Sequence, residues 1–479
     1  MMKIVIANSV GRDIEGNYYI HFPSRWTARM GKIQDFSFYP YELAYLSSLL
    51  KRETDFEVKM VDGNRLGLNS DEYINLIALE KPQWLIMETA SPVYDDDLKV
   101  ARAMQKKFKT KVVFSGQHPT AFPKEVLNDG LDYVCLGEYE YTVLDIILGK
   151  KPKEILGLYP NPMRPPLDIN SLPFPEDEDI SRMDYDHIGG CDFREIEFFA
   201  SRGCPFSCKF CVCGNLYYAS PNWRPRKIES IIEEIKYLRK KYPQMEGIFF
   251  DEEDHLLNKK FIMDLTQAII KNQLNDLKYE AMCGYIGIDK EMLKAMKKAG
   301  YYKLRIGIET ASSQVAKMAL GKRVDIDKLK EVLSYARQLG IKMYGTFTFG
   351  MMGATAEEDR KTLKLIKELL DKDLLYDYQR SISMPLPGTP FYYWAENNNL
   401  LLSKNWADFD GGTVVVNLPG YPKAELKSIY RECGQIFLKH QLKRKKWTLL
   451  KEQIQKRGLT ETIKKSFFVL KDNFLPQSV

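Results

Sequence analysis

Apolar residues in the first 150 positions come in short runs separated by amphipathic stretches. Lys3–Ala7 (KIVIA), Phe56–Asp62 (FEVKMVD), Trp84–Thr89 (WLIMET), Lys111–Ser115 (KVVFS) and Tyr133–Leu136 (YVCL) have the length and composition of buried strands. Between them Tyr41–Arg52, Asp71–Glu80, Asp96–Phe108 and the short Lys124–Asn128 follow helical spacing. This alternation predicts an α/β fold built on a doubly wound parallel sheet, whose ligands meet the carboxyl ends of the strands. Over residues 151–192 the rhythm stops. The stretch YPNPMRPPLDINSLPFPEDED is rich in proline and acids. Proline lacks a backbone donor and disfavours helix before it, so this stretch predicts an extended linker.

Alternation resumes after Glu195. Strands are expected at Ile196–Ala200, Gly247–Phe250, Tyr279–Met282, Lys303–Ile308, Met343–Phe349 and Gln379–Met384. Helices are expected at Ile228–Lys240, Lys260–Lys271, Lys290–Ala299, Ile326–Leu339 and Ala356–Asp371. Six such units in about 200 residues predict a partial (β/α)6 barrel. Four regions result: a Rossmann-like domain over 1–150, the linker over 151–192, the barrel over 193–395 and a mostly helical region over 396–479. The last carries a basic run, Lys443-Arg444-Lys445-Lys446-Trp447, read as a solvated helix face or a surface for peripheral contact with anionic lipid.

Composition narrows the function. A net charge of +6 over 479 residues is low for a dedicated nucleic-acid binder, so none is expected. No apolar run reaches the roughly 18 residues of a spanning helix, and the start MMKIVIANSVGRD lacks the layout of a signal peptide. A cytoplasmic location is the expectation. In a reducing compartment the eight cysteines are poor disulfide partners.

Three cysteines crowd directly behind a predicted strand, in Ala200-Ser201-Arg202-Gly203-Cys204-Pro205-Phe206-Ser207-Cys208-Lys209-Phe210-Cys211. The spacing C-x3-C-x2-C offers three thiolates, which can ligate three irons of a [4Fe–4S] cubane and leave the fourth open. A structural zinc site is the other reading; it needs four closed ligands, with Cys213 as the fourth. Tyr217, Tyr218 and Trp223 follow the loop and read as core or as pocket wall.

This loop, with aromatic Phe210 before its last cysteine, resembles the radical S-adenosylmethionine (SAM) superfamily. The resemblance implies cluster ligation by Cys204, Cys208 and Cys211, with SAM on the open iron and cleaved to a 5′-deoxyadenosyl radical. It also implies an electron donor of flavodoxin or ferredoxin type. Phe249-Phe250-Asp251-Glu252-Glu253-Asp254 resembles the family's acidic strand end, which makes Asp251 and Glu252 candidate partners of the SAM amino group. Arg305-Ile306-Gly307-Ile308-Glu309-Thr310 resembles its "GxEs" strand end, with Glu309 a candidate for the ribose or amino group. Ordinary loop acids are the alternative for all three. Tyr344–Gly350 and Pro385-Leu386-Pro387-Gly388-Thr389-Pro390 resemble the later adenosine-side elements. In one departure, Cys283-Gly284-Tyr285 stands where many relatives carry an arginine for the SAM carboxylate.

The first 150 residues resemble the cobalamin-binding domain that precedes many such barrels. Tyr39-Pro40-Tyr41-Glu42-Leu43-Ala44-Tyr45-Leu46, Ser115-Gly116-Gln117-His118-Pro119-Thr120 and Gly137-Glu138-Tyr139-Glu140 carry the likeness. Thr89, Ser91, Ser115, Gly116, His118, Gly137 and Glu138 become candidate cofactor contacts, and Phe210 joins them from the cluster loop. The D-x-H-x-x-G signature whose histidine ligates cobalt is absent. The resemblance implies methylation of an unactivated carbon through the 5′-deoxyadenosyl radical and methylcobalamin, on a small-molecule or lipid-like substrate. Its alternative is non-methylating cyclase or rearrangement chemistry of the anaerobic magnesium-protoporphyrin ester cyclase type. No catalytic side chain is identifiable beyond the cofactor contacts.

Overall fold

The computed structural model describes residues 2–445, apart from Pro23, Ser24, Asp35, His187, Ile188 and Ala219, together with Ile463. The basic run is therefore described only to Lys445, the end of a helix over Lys423–Lys445; Lys446 and Trp447 lie outside the described residues. Among the described residues no helix is long and apolar enough to cross a membrane.

Seven strands lie in the first part of the chain: β1 (Lys3–Ala7), β2 (Tyr18–Phe22), β3 (Trp26–Gly31), β4 (Glu57–Val61), β5 (Trp84–Glu88), β6 (Lys111–Ser115) and β7 (Tyr133–Val134). Five of them form a parallel sheet in the order β4-β1-β5-β6-β7. This is a doubly wound order with its crevice outside the carboxyl ends of β1 and β5. Helix Ser70–Glu80 starts on a capping box between Asn69 and Glu72, which satisfies two otherwise orphaned backbone donors.

The remaining pair, β2 and β3, is an antiparallel hairpin inserted between β1 and the helix Tyr41–Glu53. It was not expected, although YYIHF and WTARMG both alternate in strand fashion. Two other helices were also not anticipated: Glu140–Ile147 in this part and Pro390–Asn397 after the barrel.

The second sheet has six parallel strands in the order β15-β14-β13-β12-β11-β8. They are β8 (Glu195–Phe198), β11 (Gly247–Phe250), β12 (Lys278–Cys283), β13 (Tyr301–Glu309), β14 (Lys342–Phe349) and β15 (Asp377–Ile382). Between β8 and β11 a two-residue ribbon, β9 (Ser201–Arg202) with β10 (Arg224–Pro225), brackets the cysteine loop. The strands are almost wholly buried and their helices pack outside, as in a partial barrel.

The stretch over 151–192, expected as an extended linker, carries three short helical turns and is fastened to both sheets. Glu176 accepts from Ser47 (2.7 Å) and pairs with Lys51 (2.8 Å), while Arg182 donates to Glu234 of the barrel and to the hydroxyl of Tyr41.

One apolar cluster joins the two sheets. It runs from Ile4, Ile6 and Leu46 to Phe199, Val212 and Tyr217 beside the cysteine loop. Inside it lies a buried ionic group. Arg202 donates to Glu140 (2.6 Å) and Glu138 (3.1 Å), and Arg224 reaches Glu138 (2.8 Å). Arg202→Met strands the Glu140 carboxylate without its cation and should lower stability by about 3–5 kcal/mol, measured as an earlier urea midpoint. The double change Arg202→Met with Glu140→Gln should recover much of that loss.

Candidate functional site

The cysteine loop is shaped by its roots. Gly203 has φ +95°, and a Cβ there would lie 2.5 Å from Asn222 Oδ1 and 2.8 Å from its carbonyl, so only glycine fits. Its N–H donates to Glu253 (3.1 Å), and the Asn222 N–H closes onto the Cys204 carbonyl (3.0 Å). Asn215 braces the far side, donating to the carbonyls of Cys208 (2.7 Å) and Cys211 (2.9 Å).

The three thiols have unequal surroundings. Burial pushes Cys204 up to about 12 and Cys208 up to about 11. Cys211 lies below the ordinary thiol value, because the Cys213 thiol donates to it. A metal ion displaces such protons on binding. Among the described residues no three of Cys204, Cys208, Cys211 and Cys213 bring their sulfurs within 4.8 Å of one another. A tetrahedral zinc site, with sulfur at about 2.3 Å from the metal, would draw them closer than that.

A second gathering of ligand-type groups, Cys191, Glu195 and Glu280, lies in the barrel. There Glu280 already pairs with Lys303 (2.7 Å) and Arg305, so two cations do what a metal would.

The acidic strand end divides its roles. Asp251 lines a cavity of about 230 Å³, and its buried Oδ2 has no hydrogen-bond partner. Burial pushes its pKa up to about 7, against the pull of Arg25 and Arg305. Glu252 turns away from that cavity, where the sequence had made it a cofactor partner. Its Oε1 is 2.6 Å from His255 Nδ1, and His255 Nε2 is 2.8 Å from the Tyr301 hydroxyl. Glu309 lines the same cavity and accepts from Thr346 (2.8 Å) and Thr348 (2.6 Å). Lys322 carries its ammonium 3.9 Å over the Phe206 ring of the cysteine loop, and its charge acts on Cys204, Cys208 and Glu309.

Arg25 was invisible to the sequence reading. It follows β2 and donates to the Asp251 carbonyl (2.9 Å), pairs with Glu253 (3.4 Å) and stacks over Phe22 and Phe199. Thus the first part of the chain reaches into the mouth of the barrel. A larger cavity, about 910 Å³, adjoins the small one and shares Arg25, Trp26, Phe38, Arg305 and Thr348 with it. Its walls include the Trp26–Gly31 strand on one side and Phe210, Cys211 and Cys213 on the other. Tyr217 and Tyr218 are core rather than pocket wall, and the Tyr218 hydroxyl donates to Glu253.

The first-sheet candidates lie elsewhere. Thr89 donates to Asp97 (2.6 Å), which also takes Ser9 (2.7 Å) and the N–H of Val10 (3.0 Å); Asp97 thereby pins the β1/β5 crevice. Ser91 meets Gln117 (3.1 Å) and His118 Nδ1 (2.9 Å). Ser115 donates to the Met87 carbonyl (3.2 Å), and the Gly116 carbonyl accepts from Thr120 (2.6 Å). His118 is buried beside Tyr94 and Trp406, and burial drives its pKa down to about 3, so it is neutral. Gly137, at φ +63°, lets the Tyr217 carbonyl come within 2.7 Å of where a Cβ would stand. Glu138 is held by Arg202 and Arg224. None of these seven residues lines either cavity.

Two family profiles match the chain: the B12 binding domain over residues 35–147 and the Radical SAM superfamily over 199–366. An uncharacterized methyltransferase of Pyrococcus horikoshii is 30% identical over 410 residues, covering 82% of this chain and 86% of that protein. The chain belongs to the cobalamin-dependent radical SAM methyltransferase family. An anaerobic magnesium-protoporphyrin IX monomethyl ester cyclase of Rubrivivax gelatinosus is a more distant relative, 25% identical over 69% of this chain and 62% of its own length. The fold is shared with two solved structures. TsrM from Kitasatospora setae superposes with TM-score 0.65 at 15% identity, over 92% of this chain and 89% of that one. OxsB gives 0.71 at 16% identity, over 99% and 72%.

This radical SAM enzyme has the family's cofactors: a [4Fe–4S] cluster, SAM and cobalamin. The donor sets fit. Three soft thiols on a braced loop suit the cluster, and the unpartnered Asp251 oxygen and Glu309 suit the polar end of SAM.

Replacing Cys204, Cys208 or Cys211 with Ala should each abolish the visible absorbance of the reconstituted cluster. Cys213→Ala should retain it. Loss of cluster in Cys213→Ala would instead support a fourth thiolate ligand.

Proposed function

We propose that this enzyme methylates an unactivated carbon of a small molecule, with Cys204, Cys208 and Cys211 as the ligands of the cluster. The observation that supports this most strongly is the meeting of the cysteine loop, the Asp251 and Glu309 carboxylates and the β2–β3 hairpin around two adjoining cavities. When bound, the cofactors supply hydrogen abstraction through SAM cleavage and a methyl carrier in cobalamin.

The chain's own groups orient and shield. Asp251 accepts from the SAM ammonium, and Glu309, preset by Thr346 and Thr348, accepts from a ribose hydroxyl or the same ammonium. Lys322 balances the SAM carboxylate in place of the arginine missing at Cys283-Gly284-Tyr285. Phe22, Trp26, Phe38 and Phe249 wall the small cavity and exclude water from a reactive radical. A flavodoxin or ferredoxin type donor, a cytoplasmic setting and the domain limits near 150, 192 and 395 belong to the same reading.

Two measurements test it. With methyl-labelled SAM and a substrate that turns over, label should appear in the product. Unlabelled product together with 5′-deoxyadenosine would favour the cyclase-type reading, which the likeness to the Rubrivivax gelatinosus cyclase supports. Lys322→Met should raise the KM for SAM about tenfold, the equivalent of ~1.4 kcal/mol, with cluster absorbance intact. Lys322→Arg should restore it.

A further inference from the structure

The larger cavity extends beyond the groups used so far. Its lining runs from Phe210 and Cys211 of the cysteine loop to the helix Lys423–Lys445, which contributes Lys427, Tyr430 and Arg431. Lys427 and Arg431 are four residues apart, so they share one helix face. Neither makes an ion pair among the described residues. Their acidic neighbours on the helix, Glu425 and Glu432, are both engaged by Arg360 instead (3.8 and 3.5 Å).

The other charges around the cavity are already matched. Arg25 is held by Glu253, Arg305 by Glu280, and Arg380 donates to the Tyr430 carbonyl with its guanidinium 4.0 Å from that ring. Asp410, the one carboxylate among the described lining residues, pairs with Arg29 (3.5 Å) and accepts from the N–H groups of Gly412 (3.0 Å) and Thr413 (2.8 Å). Two cations without an ion-pair partner among the described residues thus line a cavity whose walls also carry an apolar set, Trp26, Phe36, Phe38, Met384 and Leu386. An apolar guest would leave those cations unmatched, and a cationic guest would be repelled. A guest with an anionic group gains charge-assisted hydrogen bonds there while its apolar body covers the rings.

We infer that the enzyme's substrate is an amphiphilic anion, with a carboxylate or phosphate held by Lys427 and Arg431 and an apolar body directed toward the cysteine loop. The assignment rests on the methyl-transfer reading only in calling this guest the substrate. The cobalamin phosphodiester carries the same chemistry, so the test must separate the two sources.

The experiment uses the full-length protein loaded with cluster and cobalamin under anaerobic conditions. Anilinonaphthalene sulfonate and its neutral analogue phenylnaphthylamine serve as probes, titrated calorimetrically. The wild type should bind the sulfonate more tightly than the neutral probe. Lys427→Ala with Arg431→Ala should weaken the sulfonate about tenfold or more and leave the neutral probe unchanged, and Lys427→Arg with Arg431→Lys should keep the preference. Equal sulfonate binding by the double alanine variant overturns the inference, as does parallel loss of both probes. Retention of cobalamin and of cobinamide, which lacks the phosphodiester, is measured on the same variant. Unchanged retention of both supports a substrate anion. Selective loss of cobalamin assigns the cations to the cofactor and overturns the inference. A wild type that transfers label but shows no preference for the sulfonate sinks this inference alone; a wild type that keeps the preference but transfers no label sinks the methyl-transfer reading alone.

Discussion

Arg202 stands two residues before Cys204, at the root of the loop that carries the three cysteines, and it is fully buried. A guanidinium cannot shed its charge, so at that depth it requires carboxylates. Both come from the first domain, past the end of β7: Glu140 at 2.6 Å and Glu138 at 3.1 Å, with Arg224 of the paired ribbon also on Glu138. The position of the cysteine loop relative to the first sheet is therefore set by a charge-matching requirement as well as by apolar packing. The same requirement explains why Glu138 faces the barrel rather than a cofactor.

The contact surface built around that ionic group is a shared core, which makes the relative placement of the two sheets hard to alter. Arg25 completes it from the other direction by capping the acidic end of β11. The result is a pair of adjoining spaces lined by side chains from both halves, with aromatic rings in their walls and the helix Lys423–Lys445 along the larger one. A reaction that generates a carbon radical needs this sort of enclosure, because a stray donor with a weak C–H or S–H bond would quench the radical.

Much of the fold was readable because it is written in short-range signals. All five strands of the first sheet and all six of the second lie where the apolar runs fall, to within a few residues at the ends. The hairpin β2–β3 escaped notice although its strands alternate. Its apolar positions are interrupted by His21, Thr27 and Arg29, and its partners are scattered along the chain: Phe38, Asn64, the turn Ser91–Val93 and the Ala407–Asp410 stretch. The stretch over 151–192, expected as an extended linker, is packed down for a similar reason. Prolines do rule out long helices there, but Glu176, Asp177 and Arg182 find partners more than a hundred residues away in sequence, or on the far side of the interface.

The sequence by itself determined the order of strands and helices, the three-cysteine loop and the family likeness, because each depends on neighbours along the chain. Spacing alone could not say where a polar side chain turns. Glu252 and Asp251 are adjacent, yet one closes onto His255 in the core while the other lines the small cavity and keeps a buried oxygen without a hydrogen-bond partner. Thr89, Ser91 and His118 stand at strand ends, as ligand-binding residues do, but they are consumed by Asp97, Gln117 and one another. Only tertiary structure decided these cases, because a buried polar atom takes whichever partner the packing brings within about 3 Å, and that partner comes from a different part of the chain.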